Sequence, residues 1–219
     1  MKVIIIGLGN FGASLGIKLT EAGHEVIGVD TSIQKVESLK DKITHTICMD
    51  VNDTNAISSL PLKDTDLVVV AIGEDVASSL MATATLKQFK VKKLMSRNIN
   101  PMQKNIVEAI GVDEIVSPEE DSAERLAKKL ELKGVVDSYA ISKEYSILEI
   151  KVPERYVGKT IEQCRFREKY NVNIVTIIRK DNEDKKQGDV LGVVSPSTVL
   201  EKRDILVIFG HLKDMQRLL

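Results

Sequence analysis

Gly7, Gly9 and Gly12 stand at the spacing G-x-G-x-x-G within Gly7-Leu8-Gly9-Asn10-Phe11-Gly12, and Asp30 follows Gly9 by about twenty residues. Each residue type has a physical task at that spacing. Gly7 permits a tight strand-to-helix turn, Gly9 lets backbone approach a pyrophosphate, and Gly12 lets the helix pack closely on the strand. The helix that opens here points unpaired N–H groups and the positive end of its dipole at such an anion. Asp30 holds the place of a carboxylate that accepts both ribose hydroxyls. Thr31 and Ser32 follow it, with no arginine to meet a 2′-phosphate, so the pattern fits NAD or an adenine mononucleotide better than NADP. Glycine spacing alone is a weak signal. An apolar run before it (Val3 to Ile6), a helical period after it and an acid closing the next strand make it strong.

Other candidates fall where further strands end, since a parallel sheet gathers its ligand at the carboxyl edge. Asn10 and Phe11 lie inside the loop, and Asp50-Val51 ends the third strand, where an adenine ring would lie. Ala71-Ile72-Gly73 ends the fourth, and Ser96-Arg97 the fifth, from which Arg97 could reach phosphate oxygens. A dehydrogenase would also need a proton donor or acceptor near the nicotinamide. The histidines are poorly placed for that. His24 and His45 fall at the opposite edge of the sheet, and His211 lies at the chain's last turn. No nucleophile elbow, Walker loop or metal-spaced cluster is present. A nucleotide site without a catalyst reads as a sensor rather than an enzyme, with an NAD-dependent oxidoreductase as the alternative.

The elements that must position these residues alternate strand and helix six times in the first 117 residues. The third strand spans 44–49, the buried apolar fourth 66–71, the fifth 93–96 and the sixth 114–116. Helices are expected from Ile33 to about Lys42, over 55–60, over 75–88 and from Pro101 to Ile110. This pattern predicts an α/β fold, a doubly wound Rossmann-type parallel sheet ordered 3-2-1-4-5-6 over 1–117. A helix over 118–134 carries one apolar stripe, Ala123, Leu126, Ala127 and Leu130, and is expected to bridge to another domain or subunit. The period then changes. Strands expected at 145–152, 173–179, 190–194 and 204–209, with a short helix at Ile161–Cys164 and a closing helix from Leu212, make a second, smaller α+β domain over 135–219. A charged, solvated loop tip is expected over 181–188.

The 219 residues carry 43% hydrophobic and 29% charged side chains and a net charge of −1, which excludes a disordered chain and gives no global pull toward nucleic acid or an anionic surface. The two cysteines, Cys48 and Cys164, have no ligand spacing and read as buried thiols in a reducing compartment. The N-terminal apolar run is too short for a signal peptide, and no stretch approaches the length of a spanning helix.

Several stretches together resemble the regulatory subunits of bacterial potassium uptake systems of the Trk/Ktr type, which join an RCK N-terminal (TrkA-N) domain to an RCK C-terminal (TrkA-C) domain. They are IIIGLGNFGASLGIKLTEAGHEVIGVD, AIGED, IGVDEIVSPEED, VGKTIEQCRFREKYNVNIVTIIR and VVSPSTVLEKRDILVIFG. The resemblance covers nearly the whole chain. It implies a cytoplasmic, nucleotide-sensing subunit, peripheral at the inner face of the cell membrane through a membrane-embedded potassium translocating partner, with dimers assembling into an octameric ring. It implies ATP/ADP or NAD(H) at the glycine loop: Gly7, Gly9 and Gly12 at phosphate, Asp30 at ribose with Thr31 beside it, Asp50 and Val51 at adenine. Glu119 matches an acidic position that binds a divalent cation, Mg or Ca, in some members. In some Gram-positive members the second domain binds cyclic di-AMP, whose counterpart here is Tyr170, Asn171, Asn173 and Ile174 with Val194 and Pro196. One departure concerns the loop itself: many members carry arginine where this chain has Asn10, and Arg97 is a candidate replacement. A sensor of a different membrane transporter is the other reading in this class.

Overall fold

The computed structural model describes residues 1–180 and 188–219. All but Gly188 of the loop expected over 181–188 therefore lies outside the described residues. The chain divides into two compact units, Met1–Glu120 and Asp121–Leu219.

In the first unit β1 (Lys2–Ile6), β2 (Glu25–Asp30), β3 (His45–Cys48), β4 (Leu67–Val70), β5 (Leu94–Arg97) and β6 (Glu114–Val116) form one sheet. Its order is β3-β2-β1-β4-β5-β6, and every pairing is parallel, as the alternation of elements predicts. Alternation along β1 feeds two cores. Val3 and Ile5 pack with residues of α1 (Asn10–Glu21) and α2 (Ile33–Leu39) on one face. Ile4 and Ile6 pack with α3 (Thr54–Ser58) and α4 (Val76–Gln88) on the other. All four β1 side chains are fully buried, at about 1.5–3 kcal/mol of transfer free energy each.

Four helices of this unit start on a side-chain cap. Ser32, Asp53, Asp75 and Asn100 each accept a backbone N–H from the first turn of α2, α3, α4 and α5 (Pro101–Ile110). Gly111 ends α5 in the left-handed conformation, at φ 82°. Helix α2 stops at Leu39, short of the expected Lys42. There the chain turns on Lys42 and Ile43 N–H bonds to the Leu39 carbonyl, which brings Ile43 into the core.

Helix α6 (Pro118–Glu131) starts in the first unit and continues into the second, and its stripe of Ala123, Leu126, Ala127 and Leu130 is exposed. In the second unit β7 (Val135–Ala140), β8 (Tyr145–Lys151), β9 (Asn173–Arg179), β10 (Asp189–Val190) and β11 (Ile205–His211) pair antiparallel in the order β10-β9-β11-β8-β7. Ser146, Leu148 and Ile150 of β8 point inward, and α7 (Ile161–Cys164), α8 (Phe166–Tyr170) and α9 (Leu212–Leu218) supply Cys164, Phe166, Met215 and Leu218 to the same core.

Three expectations need correction here. Strand β7 was not foreseen, because a bulge between Val135 and Asp137 shifts its parity and turns polar Ser138 inward, spoiling the period of two. The strand expected over 190–194 is only β10, since Leu191 bonds back to the Ile177 carbonyl and the chain then leaves the ladder. The cysteines differ: Cys164 is buried, which pushes its thiol up, whereas Cys48 ends edge strand β3 and is exposed.

Candidate functional site

The glycine loop leaves β1 at Ile6. Gly7 adopts φ +97° and donates its N–H to the Val29 carbonyl at 2.8 Å, tying the turn to β2. A Cβ on Gly12 would collide with the Gly7 carbonyl oxygen, so this position admits only glycine while α1 stays this close to the loop. Gly9 has nothing within 4 Å of where its Cβ would be. Its open side faces away from the protein. Gly9 is also the N-cap of α1 and makes no side-chain cap bond, unlike the four capped helices. The first-turn N–H groups of α1 thus lack the acceptor that those helices have.

Asp30 ends β2 and is 9% exposed. Its Oδ2 accepts the Leu8 N–H at 2.7 Å and its Oδ1 the Ser32 N–H at 2.8 Å. Lys35 approaches Oδ2 at 3.7 Å. These contacts fix the carboxylate and leave acceptor capacity on both oxygens, as two vicinal hydroxyls require.

Arg97 ends β5 with its side chain 14% exposed. Its Nη1 donates to the Ala71 carbonyl at 3.3 Å, its guanidinium lies 5.8 Å from the Phe11 ring centre, and Nη2 pairs with the Glu119 carboxylate. Its Nε is buried and has no acceptor among the described residues. Gly73 makes room for this placement, since a Cβ there would strike the guanidinium.

A cleft of about 350 Å³ opens along this edge. Gly7, Gly9, Asn10, Phe11, Asp30, Thr31, Val51, Ala71, Gly73 and Arg97 all line it, together with Glu119. Two candidates do not. Gly12 lies beneath the loop, and Asp50 turns its carboxylate to the Asn52 N–H at 2.9 Å. Sequence reasoning missed Lys35, Asn52, Glu74, Asp75 and Ser78, which also line the cleft. Asp75 is the N-cap of α4 and Ser78 lies in its first turn. There the Ser78 hydroxyl donates to Asp75 at 2.6 Å and accepts from Asn52 Nδ2 at 3.1 Å, linking the ends of β3 and β4.

Glu119, the divalent-cation candidate, lies in the first turn of α6. Its carboxylate is neutralised by a guanidinium, and among the described residues no group of three or more His, Cys, Asp or Glu gathers around any point. The second-domain candidates are scattered in their contacts. The Tyr170 hydroxyl meets that of Tyr156 at 2.7 Å, Asn171 ends α8 in the left-handed region, and the Asn173 side-chain Oδ1 accepts from Arg167 Nε. Ile174 and Val194 pack against the domain core, and the Pro196 carbonyl accepts the Glu162 N–H. His24 lies 3.4 Å from the N-terminal amine, and His211 caps α9.

Comparison with known proteins agrees with this architecture. The TrkA-N domain family matches residues 3–118 and the TrkA-C domain family residues 146–219. The Ktr system potassium uptake protein A of Bacillus subtilis (strain 168) is 32% identical over 97% of this chain and 93% of its own length. The Ktr system potassium uptake protein C of the same organism is 34% identical over 97% and 93%. Among solved structures, the GsuK channel bound to NAD superposes with a TM-score of 0.66 at 16% identity, over 99% of this chain and 38% of that longer chain. No helix among the described residues is long and apolar enough to cross a membrane. Built from a TrkA-N and a TrkA-C domain in that order, and alike to both Ktr proteins along nearly its whole length, the chain belongs to the Ktr/Trk family of potassium uptake proteins.

Proposed function

We propose that this chain is a cytoplasmic regulatory subunit that senses ATP/ADP or NAD(H) and gates a membrane-embedded potassium translocating subunit. The observation that carries this reading is the shared cleft, into which the uncapped start of α1, the Asp30 carboxylate and the Arg97 guanidinium all open. That set suits the parts of an adenine nucleotide. Helix α1 offers N–H groups to a phosphate, Asp30 accepts ribose hydroxyls, Val51 gives an apolar wall to the base, and Arg97 meets distal phosphate charge. No histidine or cysteine lines the cleft, and a non-enzymatic role accords with relatives named as uptake proteins. A regulator moves a gate only by the ligand's difference in affinity between two states, about 1–3 kcal/mol in typical allosteric coupling. Assembly of several copies, as the octameric ring of the family resemblance implies, supplies such states. The neighbour named as a channel bound to NAD favours NAD(H) within this reading.

Calorimetric titration of the purified chain with ATP, ADP and NADH tests the site. Asp30→Ala, and the shape-preserving Asp30→Asn, are expected to weaken all three by about tenfold or more, the worth of two hydrogen bonds to a charged group. Cyclic di-AMP, titrated alongside, is expected to be indifferent to both changes. Unaltered binding of all three nucleotides in both variants would refute this assignment.

A further inference from the structure

The second unit has a cavity of its own, of about 450 Å³. Four bases line it, Lys151, Lys180, Lys202 and Arg203, against one acid, Asp204. The cleft of the first unit has the opposite balance, four acids to two bases. In a chain whose net charge is −1, the pocket is a local positive field that the overall composition does not foretell. We propose that this pocket is a second binding site, for a compact phosphate-bearing anion of at least two negative charges.

Strand β11 runs antiparallel to both its neighbours, so β8 and β9 finish at the end of the sheet where β11 begins. Lys151 is the last residue of β8, Lys180 follows β9, and Lys202 and Arg203 lie in the turn that leads into β11. Three separate stretches thus deliver cations to one place. Asp204 does not balance them. Its carboxylate is fully buried and spent on Arg179, at 2.9 and 2.8 Å, and on the Glu201 N–H at 2.9 Å. Lys151 and Lys202 are exposed and form no ion pair among the described residues. Burial pushes the Glu149 carboxyl up, and the charge of Lys180 is among those that draw it back. Arg203 has a partner of its own, so the lysines carry the proposal.

Ammonium groups gathered without counter-charges repel one another, and an anion placed among them removes that repulsion and gains attraction to each. Lysines act as point charges on flexible stems, so they select a ligand by charge density and not by the planar fork an arginine offers. A multiply charged phosphate meets that demand better than a single carboxylate. The volume suits a small ligand, within the range of about 300–1,000 Å³ for such pockets. The residues expected to meet cyclic di-AMP begin β9 at Asn173, whereas this pocket lies past its end at Arg179, about 20 Å away along a seven-residue strand. The two places are distinct.

The test titrates the full chain with pyrophosphate and with orthophosphate at low salt, with excess ADP present to occupy the glycine cleft. Pyrophosphate is expected to bind more tightly than orthophosphate and to weaken as salt rises. The double variant Lys151→Gln/Lys202→Gln changes two exposed side chains and leaves the core untouched. It is expected to weaken pyrophosphate about tenfold or more, the scale of two ammonium–phosphate attractions near a surface. Lys104→Gln, at an exposed lysine of α5, is expected to change nothing. Flotation with vesicles containing cardiolipin, against vesicles of phosphatidylcholine alone, separates the two sources of phosphate. Flotation that the double variant loses assigns the pocket to a lipid headgroup, and lysine-dependent pyrophosphate binding without flotation assigns it to a free ligand. If neither signal is weakened in the double variant, the proposal is overturned.

Discussion

In the first domain all strands run one way, so the chain leaves Ile6, Asp30, Val70 and Arg97 at a single edge, and ten of the expected binding residues meet there. In the second domain neighbouring strands run oppositely, and the residues expected to bind cyclic di-AMP fall on a helix end, a strand and a long connection. Their polar groups bond within the domain: Tyr170 to Tyr156, Asn173 to Arg167. A parallel sheet collects chemistry by topology. An antiparallel sheet offers no such shared edge, because successive strands end on opposite sides.

Substitutions can break that comparison at several strengths. The largest effect is expected at Gly12, where even Ala places a carbon against the Gly7 carbonyl. Gly12→Ala should cost more than about 4 kcal/mol in urea unfolding. Gly9→Ala, with open space around it, should leave unfolding unchanged and weaken nucleotide binding alone. Equal stability losses in the two variants would show that the loop does not divide its labour this way. The second domain has its own irreplaceable group. Asp204 is fully buried, accepts from Arg179 at 2.9 and 2.8 Å, and also accepts the Glu201 N–H at 2.9 Å. Asp204→Ala is expected to cost about 2–4 kcal/mol, discounted from a fully buried pair because Arg179 is partly exposed. Nucleotide affinity measured well below the unfolding midpoint should not change.

The smallest effect concerns acid. Arg125 pairs with Asp137 through Nε at 2.6 Å and holds that carboxyl below its ordinary value of 3.8. A lowered folded value means that the pair stabilises above pH 3.8 and loses its contribution as pH falls through the lower folded value. Arg125→Met should bring the Asp137 titration, followed by carbon-13 NMR, back up toward 3.8. Its persistence at the lower value would assign the shift to the backbone N–H of Ser138 instead.

What the chain announces in advance follows the same divide. The glycine spacing, the apolar runs of β1 and β4 and the acid at Asp30 are local patterns with one reading, and the sheet order follows from alternation of elements. Strand β7 hid because a bulge breaks its period, and Cys48 because a four-residue edge strand gives no burial signal. Lys35, Asn52 and Ser78 escaped because each enters the cleft by tertiary approach rather than motif spacing. The Arg97–Glu119 pair joins residues 22 apart on separate elements, and only folding introduces them.

Of helices α1 to α5, α1 alone begins without a side-chain cap. Its opening turn is therefore the more prone to fray, by about a few tenths of a kcal/mol for a glycine cap against a side-chain one. Whatever anion settles there finishes the helix as a bracket closes a phrase. Hydrogen exchange at the amides of Phe11 and Gly12 should slow on occupancy well before any distant element responds.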